Sequence, residues 1–522
     1  MSLDLKRRRS IWRRLWRRWR LVGNGPAPFL RPLTIRLPNW PWRRRHRRVR
    51  LQLNLSIDQR AARAVLGLLG LAALSWWSLV HGPSLIGAIA VSADPQRAAV
   101  RAALAVPTMA DLRSAYAERS YRPIWLNHGR PRPEADDLLA RLSAAGDDDL
   151  DGSRYGQSDL AARLKAAPHA GWAERARTEL LLTKAFVAYV EDLHTPLPAA
   201  QVVYTDPALR PPSRPGEAEV LNLVDTSPSL GAAMTAATRM NPLYLTLQRA
   251  IASGQGANDP VKRHLMLINL ERLRALPINL GRHFILVDAA SARLWMFEGD
   301  REVDSMKVIV GKPEEPTPMM AGVIRYAIFN PFWNVPPDLV RTVYVPRIRA
   351  NRAALAALRM DPWSDYTADA HKLDPSAVDW ASVQAGSVNV GLRQRPGADN
   401  SMGAVKFMLP NELGIYLHDT PNKTLFSKPQ RTFSAGCVRV EDYRRLARWL
   451  YQRGDAGAKG DAPDQRVDLQ RPVPVYISYL TAMPEAGAVT VAKDVYGRDG
   501  ALLATLRVRQ TQISMSHSSA RS

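Results

Sequence analysis

The hydrophobic pattern changes its period along the chain, and each change marks a different kind of element. Ala64 to Ala93 contains no Asp, Glu, Lys or Arg. Its most apolar part, Ala64 to Val80, would span about 26 Å as a helix, close to the ~30 Å of a hydrocarbon core. From Asp94 to about Asn258 the period is helical, with residues 182, 186, 189, 190 and 193 on one apolar face. Breaks fall at Gly146 to Gly156 and at the proline-rich Pro207 to Pro215. Pro260 to Leu276 predicts one more helix, stopped by Pro277. Beyond it come short apolar strands at 282–288, 292–298, 302–310, 322–329 and 414–418. Tight turns such as Gly299-Asp300-Arg301 separate the first of them. A short helix at 440–450, a loop at 453–468 and strands at 472–480 and 488–495 complete the pattern, the last two expected to close the sheet. The Ser-rich end, 510–522, is expected to be disordered. Strands at this spacing, joined by tight turns, argue for an antiparallel sheet or sandwich rather than a βαβ fold. Pro336 to Asn400 is long and mixed, the size of an inserted subdomain or lid.

Composition leaves this picture intact and charge sharpens it. Apolar residues are 46% and charged residues 23%, an ordinary globular balance. The net charge of +24 is unevenly spread: Met1 to Arg63 holds 19 Lys/Arg against Asp4 and Asp58, so +17 lies in that tail. Its arginines alternate with Trp12, Trp16 and Trp19, a pattern suited to nucleic acid or to an anionic lipid surface. The adjoining uncharged segment favours lipid, and nucleic acid becomes the minor reading. A cleaved signal peptide is the rival, since Val91-Ser92-Ala93 resembles a cleavage site. A basic region of 63 residues is too long for one, and an uncleaved signal anchor is preferred. The positive-inside rule then puts the tail in the cytoplasm and the chain beyond residue 90 outside it.

Cys437 is the sole cysteine, so it can form neither an internal disulfide nor a multi-thiolate metal site. It is a buried inert thiol, a free reactive one, or a nucleophile with a histidine base. Export makes an idle thiol a liability. His418 ends a strand upstream, and the intervening loop can bring the two together at modest entropic cost. A histidine within reach could take the thiol proton and return it to a leaving amine. The small residues Ser434-Ala435-Gly436 would let backbone N–H groups approach a substrate carbonyl.

The full pattern, strand-His-x-Thr followed by Ser-x-Gly-Cys-Val-Arg, resembles the signature of the YkuD-domain L,D-transpeptidases, exported cysteine enzymes that cross-link peptidoglycan. Val308 to Pro313 with Thr317-Pro318, Asn330 to Pro337, Tyr416 to Asn422 and Val495 to Asp499 are similar to the long, YcbB-like subgroup. Ser120 to Leu126 and the helix around Leu182 are similar to its scaffold domain. Two departures stand out. Ala435 replaces the histidine many members carry, and Ala250 to Asp259 leaves no room for the subgroup's small peptidoglycan-binding domain.

The resemblance implies an α+β chain. A helical scaffold domain (94–276) precedes an all-β, sandwich-like catalytic domain (277–500) with a capping insertion (337–400). A basic cytoplasmic tail (1–63), a transmembrane anchor (64–90) and a C-terminal tail (501–522) complete it. It also implies that Cys437 is acylated, that His418 is base and then acid, and that Ser434 and Gly436 orient backbone for the oxyanion. Arg439 is carried over as holding the local architecture or a substrate carboxylate, and Tyr416, Trp333 and Asn334 as substrate-binding, with packing preferred over direct binding for Trp333 and Tyr416 and a structural role preferred for Asp419. The implied partners are donor and acceptor stem peptides of peptidoglycan and the inner membrane. No cofactor or metal is expected.

Overall fold

The computed structural model describes residues 94–212, 215–367, 369–452, 462–485 and 487–506. The basic tail, the apolar segment expected to span the membrane and the last residues lie outside them. Among the described residues no helix is long and apolar enough to cross a membrane.

Nine helices between Pro95–Ala103 and Pro260–Arg274 build the first half of the described chain. Several start with proline at the first turn, where a missing N–H costs nothing. Trp172–Leu193 lies at the centre, and Leu182, Phe186, Tyr189, Val190 and Leu193 are buried on it, as the 3.6-residue period predicts. A small hairpin, β1 (Leu126–Asn127) and β2 (Arg130–Pro131), is pinned to this helix. The buried Glu179 carboxylate accepts from the N–H groups of Ile124 (2.5 Å) and Leu126 (3.0 Å) and from the Tyr116 hydroxyl (2.8 Å). Pro242–Ala252 and Pro260–Arg274 are joined directly, capped by the side chains of Asn241 and Asp259, so no domain intervenes.

One strand of the helical half, β3 (Val203–Tyr204), joins the sheet of the other. That sheet contains β4 (His283–Asp288), β5 (Arg293–Glu298), β6 (Arg301–Gly311) and β7 (Met320–Phe329). A three-stranded sheet follows in the insertion: β8 (Trp333–Val335), β9 (Met360–Trp363) and β10 (Gly391–Gln394), with β10 in the middle. Back in the main sheet are β11 (Val405–Met408), β12 (Leu417–His418), β13 (Thr432–Ser434), β14 (Val438–Val440) and β15 (Gln465–Ser478).

The order β11-β12-β14-β6-β5-β4-β15-β7 returns to β11 through a β7–β11 pairing, so the sheet closes on itself. Closure leaves no open edge along that path and encloses one apolar core. This corrects the antiparallel sandwich: strands dominate as expected, but β12–β14, β4–β15, β6–β13 and β3–β7 are parallel. Residues 488–495 do not close the sheet. Ala488–Val491 (β17) pairs instead with Ala482–Glu485 (β16) in a separate hairpin. Residues 501–506 are no free tail either, since 498–506 are helical and bury Leu502 and Leu506. The insertion runs somewhat wider than expected, because its own core extends from Trp333 to Met402.

Candidate active site

Strand alternation assembles the site. On β12 and β14, Leu417, Val438 and Val440 point into the closed core. Side chains alternate across a strand, so Tyr416, His418, Cys437 and Arg439 share the opposite face. Parallel pairing aligns Leu417 with Val438 and His418 with Arg439, and the Val438 N–H donates to the Tyr416 carbonyl at 3.1 Å. Two residues separated by a long loop thus stand on neighbouring strands.

The stretch before Cys437 is held from several sides. Ser434 Oγ donates to the Cys437 carbonyl at 2.5 Å. Gly436 has φ +102°, and a Cβ there would stand 3.2 Å from Ile415 Cδ1, so only glycine suits the turn. Its carbonyl accepts the buried Thr317 hydroxyl at 2.8 Å, while Thr317 Oγ1 accepts the Gly311 N–H at 2.8 Å. The Tyr496 hydroxyl donates to the Gly311 carbonyl at 2.7 Å, and Arg498 donates to that of Thr317 at 3.2 Å. A planar peptide points its C=O and N–H in opposite directions. Fixing the Gly436 carbonyl on Thr317 therefore aims the Cys437 N–H away from Thr317. Among the described residues that N–H has no hydrogen-bond acceptor, which leaves it free to meet a developing oxyanion.

The thiol and the imidazole both rest neutral. Burial pushes the Cys437 thiol above its ordinary value, with Tyr416 and Arg439 opposing that rise. Its Sγ donates to the Gly414 carbonyl at 3.5 Å, not to His418. Burial, reinforced by the Arg439 charge, takes His418 down to about 3. Its Nδ1 donates to the Asp419 carbonyl at 2.6 Å, so the neutral ring keeps Nε2 as its basic nitrogen. A neutral thiol beside a neutral base is the resting state for general-base activation, in which the proton leaves as the sulfur attacks.

The remaining expected residues separate into groups. Tyr416 packs against both the core of the closed sheet and the insertion core. Its ring meets His418 edge-on at 5.7 Å, and its hydroxyl, pushed up by burial, neighbours the Cys437 sulfur. Arg439 lies beside Cys437 and His418, as its charge on both records. Trp333 is placed differently: it is buried in the insertion core against Tyr344, which makes it a packing residue. Asn334 is exposed on β8, opposite Arg393, and the hydrogen bonds of Cys437 and His418 go to Gly414 and Asp419 rather than to it. Asp419 is structural: its carboxylate accepts from the Ala404 N–H at 2.9 Å and from Lys423 at 2.6 Å. Thr317, Tyr496 and Lys406 received no role from the sequence. The first two lay within recognised motifs, and Lys406 carried no signal at all.

Comparison with known proteins gives matches over both halves. Residues 282–477 match the L,D-transpeptidase catalytic domain, YkuD, and residues 110–251 match a scaffold domain. A Haemophilus influenzae protein provisionally assigned as an L,D-transpeptidase is 32% identical over 243 residues, covering 45% of this chain and 48% of that one. The chain thus matches about half the length of this curated relative. Among solved structures, an L,D-transpeptidase from Mycobacterium smegmatis is 12% identical with a TM-score of 0.20, covering 38% of this chain and 58% of its own. A cysteine-to-serine mutant of an Enterococcus faecium L,D-transpeptidase is 12% identical with a TM-score of 0.18, covering 39% and 52%.

Proposed function

We propose, for a chain that carries an L,D-transpeptidase catalytic domain behind a scaffold domain, that it cross-links peptidoglycan stem peptides through a cysteine acyl-enzyme. The observation that carries this reading is the shared face of β12 and β14, where Cys437, His418, Tyr416 and Arg439 stand together beside the free N–H of Cys437.

In the first half-reaction Cys437 Sγ passes its proton to His418 Nε2 as the sulfur attacks the carbonyl of residue three in a tetrapeptide stem. The negative charge that forms on that carbonyl oxygen is met by the Cys437 N–H. Collapse breaks the bond to the terminal D-alanine, whose amine takes the proton back from His418. In the second half an amine of a neighbouring stem gives His418 a proton and attacks the thioester. The product is a 3→3 cross-link, and the thiol is restored. Placement follows from the sequence: residues 64–90 anchor the chain in the inner membrane with the basic tail at its cytoplasmic, anionic face, and the catalytic domain works in the periplasm.

The test is to incubate the full-length chain with a disaccharide-tetrapeptide and weigh the products. Cross-linked dimers with free D-alanine are expected. Tripeptide with D-alanine and no dimer would instead make water the acceptor and the protein an L,D-carboxypeptidase. No D-alanine release, with a Cys437→Ala chain still restoring the cell-wall phenotype, would leave a catalytically silent envelope scaffold.

A further inference from the structure

A row of charge crosses the site face. Lys406 on β11 pairs with His418 on β12, and His418 pairs with Arg439 on β14, so the three residues are direct cross-strand neighbours. Val405 and Phe407 point into the closed core, which turns Lys406 toward the same side as His418. The imidazole therefore sits between two cations, and both charges act on it.

Neither cation has an ion-pair partner among the described residues. Lys406 Nζ donates to the Phe332 carbonyl at 3.3 Å, and the carboxylate that acts on it, Asp464, instead accepts from the Phe332 N–H at 2.9 Å. Among the described residues the Arg439 side chain has no hydrogen-bond acceptor, and its Nε is buried. The fully buried arginines each have a carboxylate instead, Arg272 with Asp499 at 2.7 Å and Arg274 with Glu271 at 2.9 Å, although Nη2 of Arg272 also lacks an acceptor. A partly buried guanidinium without an acceptor is costly, and an anion arriving from outside removes that cost.

We propose that Lys406 and Arg439 clamp the free C-terminal carboxylate of the donor peptide, and so restrict the enzyme to donors with one residue beyond the attacked carbonyl. The proposal rests on the functional reading above. Its geometry follows from strand spacing. Arg439 lies two residues beyond Cys437, or ~7 Å along an extended strand at ~3.3 Å per residue. One leaving amino acid reaches from the attacked carbonyl toward that row. A second one would carry its carboxylate ~3.3 Å past it. His418 stands within the row, between the two cations, where it can hand its proton to the amine of the residue whose carboxylate they hold. Arginine can meet that carboxylate with paired N–H groups, and lysine acts as a point charge.

The test compares two donors on the full-length chain: a tetrapeptide stem with a free C-terminal carboxylate and the same peptide as its C-terminal amide. Release of the fourth residue is followed by mass. The wild-type chain is expected to favour the acid by about tenfold or more in kcat/KM. Arg439→Gln and Lys406→Gln are each expected to collapse that acid-to-amide ratio toward one, and Arg439→Lys to restore part of it. Equal wild-type rates on acid and amide would overturn the clamp while leaving the functional reading intact. So would variants that slow both donors in the same proportion, which is what a structural role predicts. Failure of the wild-type chain to release the fourth residue from either donor would overturn the functional reading itself, and the clamp with it.

Discussion

Glu179 in the scaffold and Arg439 in the catalytic domain are both charges set into protein, and they are treated in opposite ways. Glu179 is fully enclosed, and its oxygens accept from three successive backbone N–H groups and a tyrosine hydroxyl. Arg439 is half-enclosed and among the described residues its Nε has no acceptor. The satisfied charge ties a hairpin to the central helix. The unsatisfied one stands beside a thiol, where a ligand can complete it. Between these two residues, hydrogen-bond saturation separates a charge that holds the fold from one left open beside the site.

The largest expected effect breaks the first half of that comparison. Glu179→Ala leaves three buried N–H groups without an acceptor and should cost ~3–5 kcal/mol of stability, read as a lowered denaturation midpoint. An unchanged midpoint would show that the carboxylate does not anchor the hairpin. Next comes Thr317→Val, which keeps the shape and removes the hydroxyl between Gly311 and Gly436. Its kcat should fall by about 10²-fold with KM little altered, the signature of a misaimed oxyanion donor. A rise in KM alone would make Thr317 a binding residue instead.

Arg439→Met sharpens the contrast from the other side. Removing an unpaired, partly buried cation should leave thermal stability within about 1 kcal/mol of the parent, or raise it, even as the preference for the free-acid donor falls away. A large loss of stability would give Arg439 a structural task like that of Glu179. The smallest effect is in the pH profile. His418 is neutral in the folded chain down to about pH 3, so acylation rates should show no acid limb near the ordinary histidine value of about 6.5. The unfolded chain binds that proton below about 6.5 and the folded chain does not. Stability should therefore decline steadily as pH falls from there toward 3. A clear kinetic step near 6.5 would mean that His418 is solvated.

Much of the site was legible from the chain because its chemistry sits in contiguous motifs. Cys437, Gly436, Ser434 and Arg439 are neighbours in sequence, and His418 ends a strand whose apolar pattern is plain. Lys406 was silent because its place depends on the register between β11 and β12, which no local pattern encodes. Thr317 and Tyr496 lay in recognised motifs, but their task depends on a contact between segments far apart in the chain. Trp333 could be read as binding or packing because it is an aromatic beside the motifs; the insertion has a core of its own, and Trp333 lies in it. The closed sheet escaped notice because β7 and β11 pair across the whole insertion. The strand at 488–491 reads like any other, and nothing local says which partner it takes.

The central claim is that Cys437 carries the acyl group. Intact-mass analysis of the full-length chain, quenched in acid during turnover of the disaccharide-tetrapeptide, tests it most directly. Expected is a thioester adduct with the mass of the stem lacking its terminal D-alanine, located on the peptide that contains Cys437 and absent from Cys437→Ala. Turnover that persists in Cys437→Ala, or an adduct on any other residue, would contradict it.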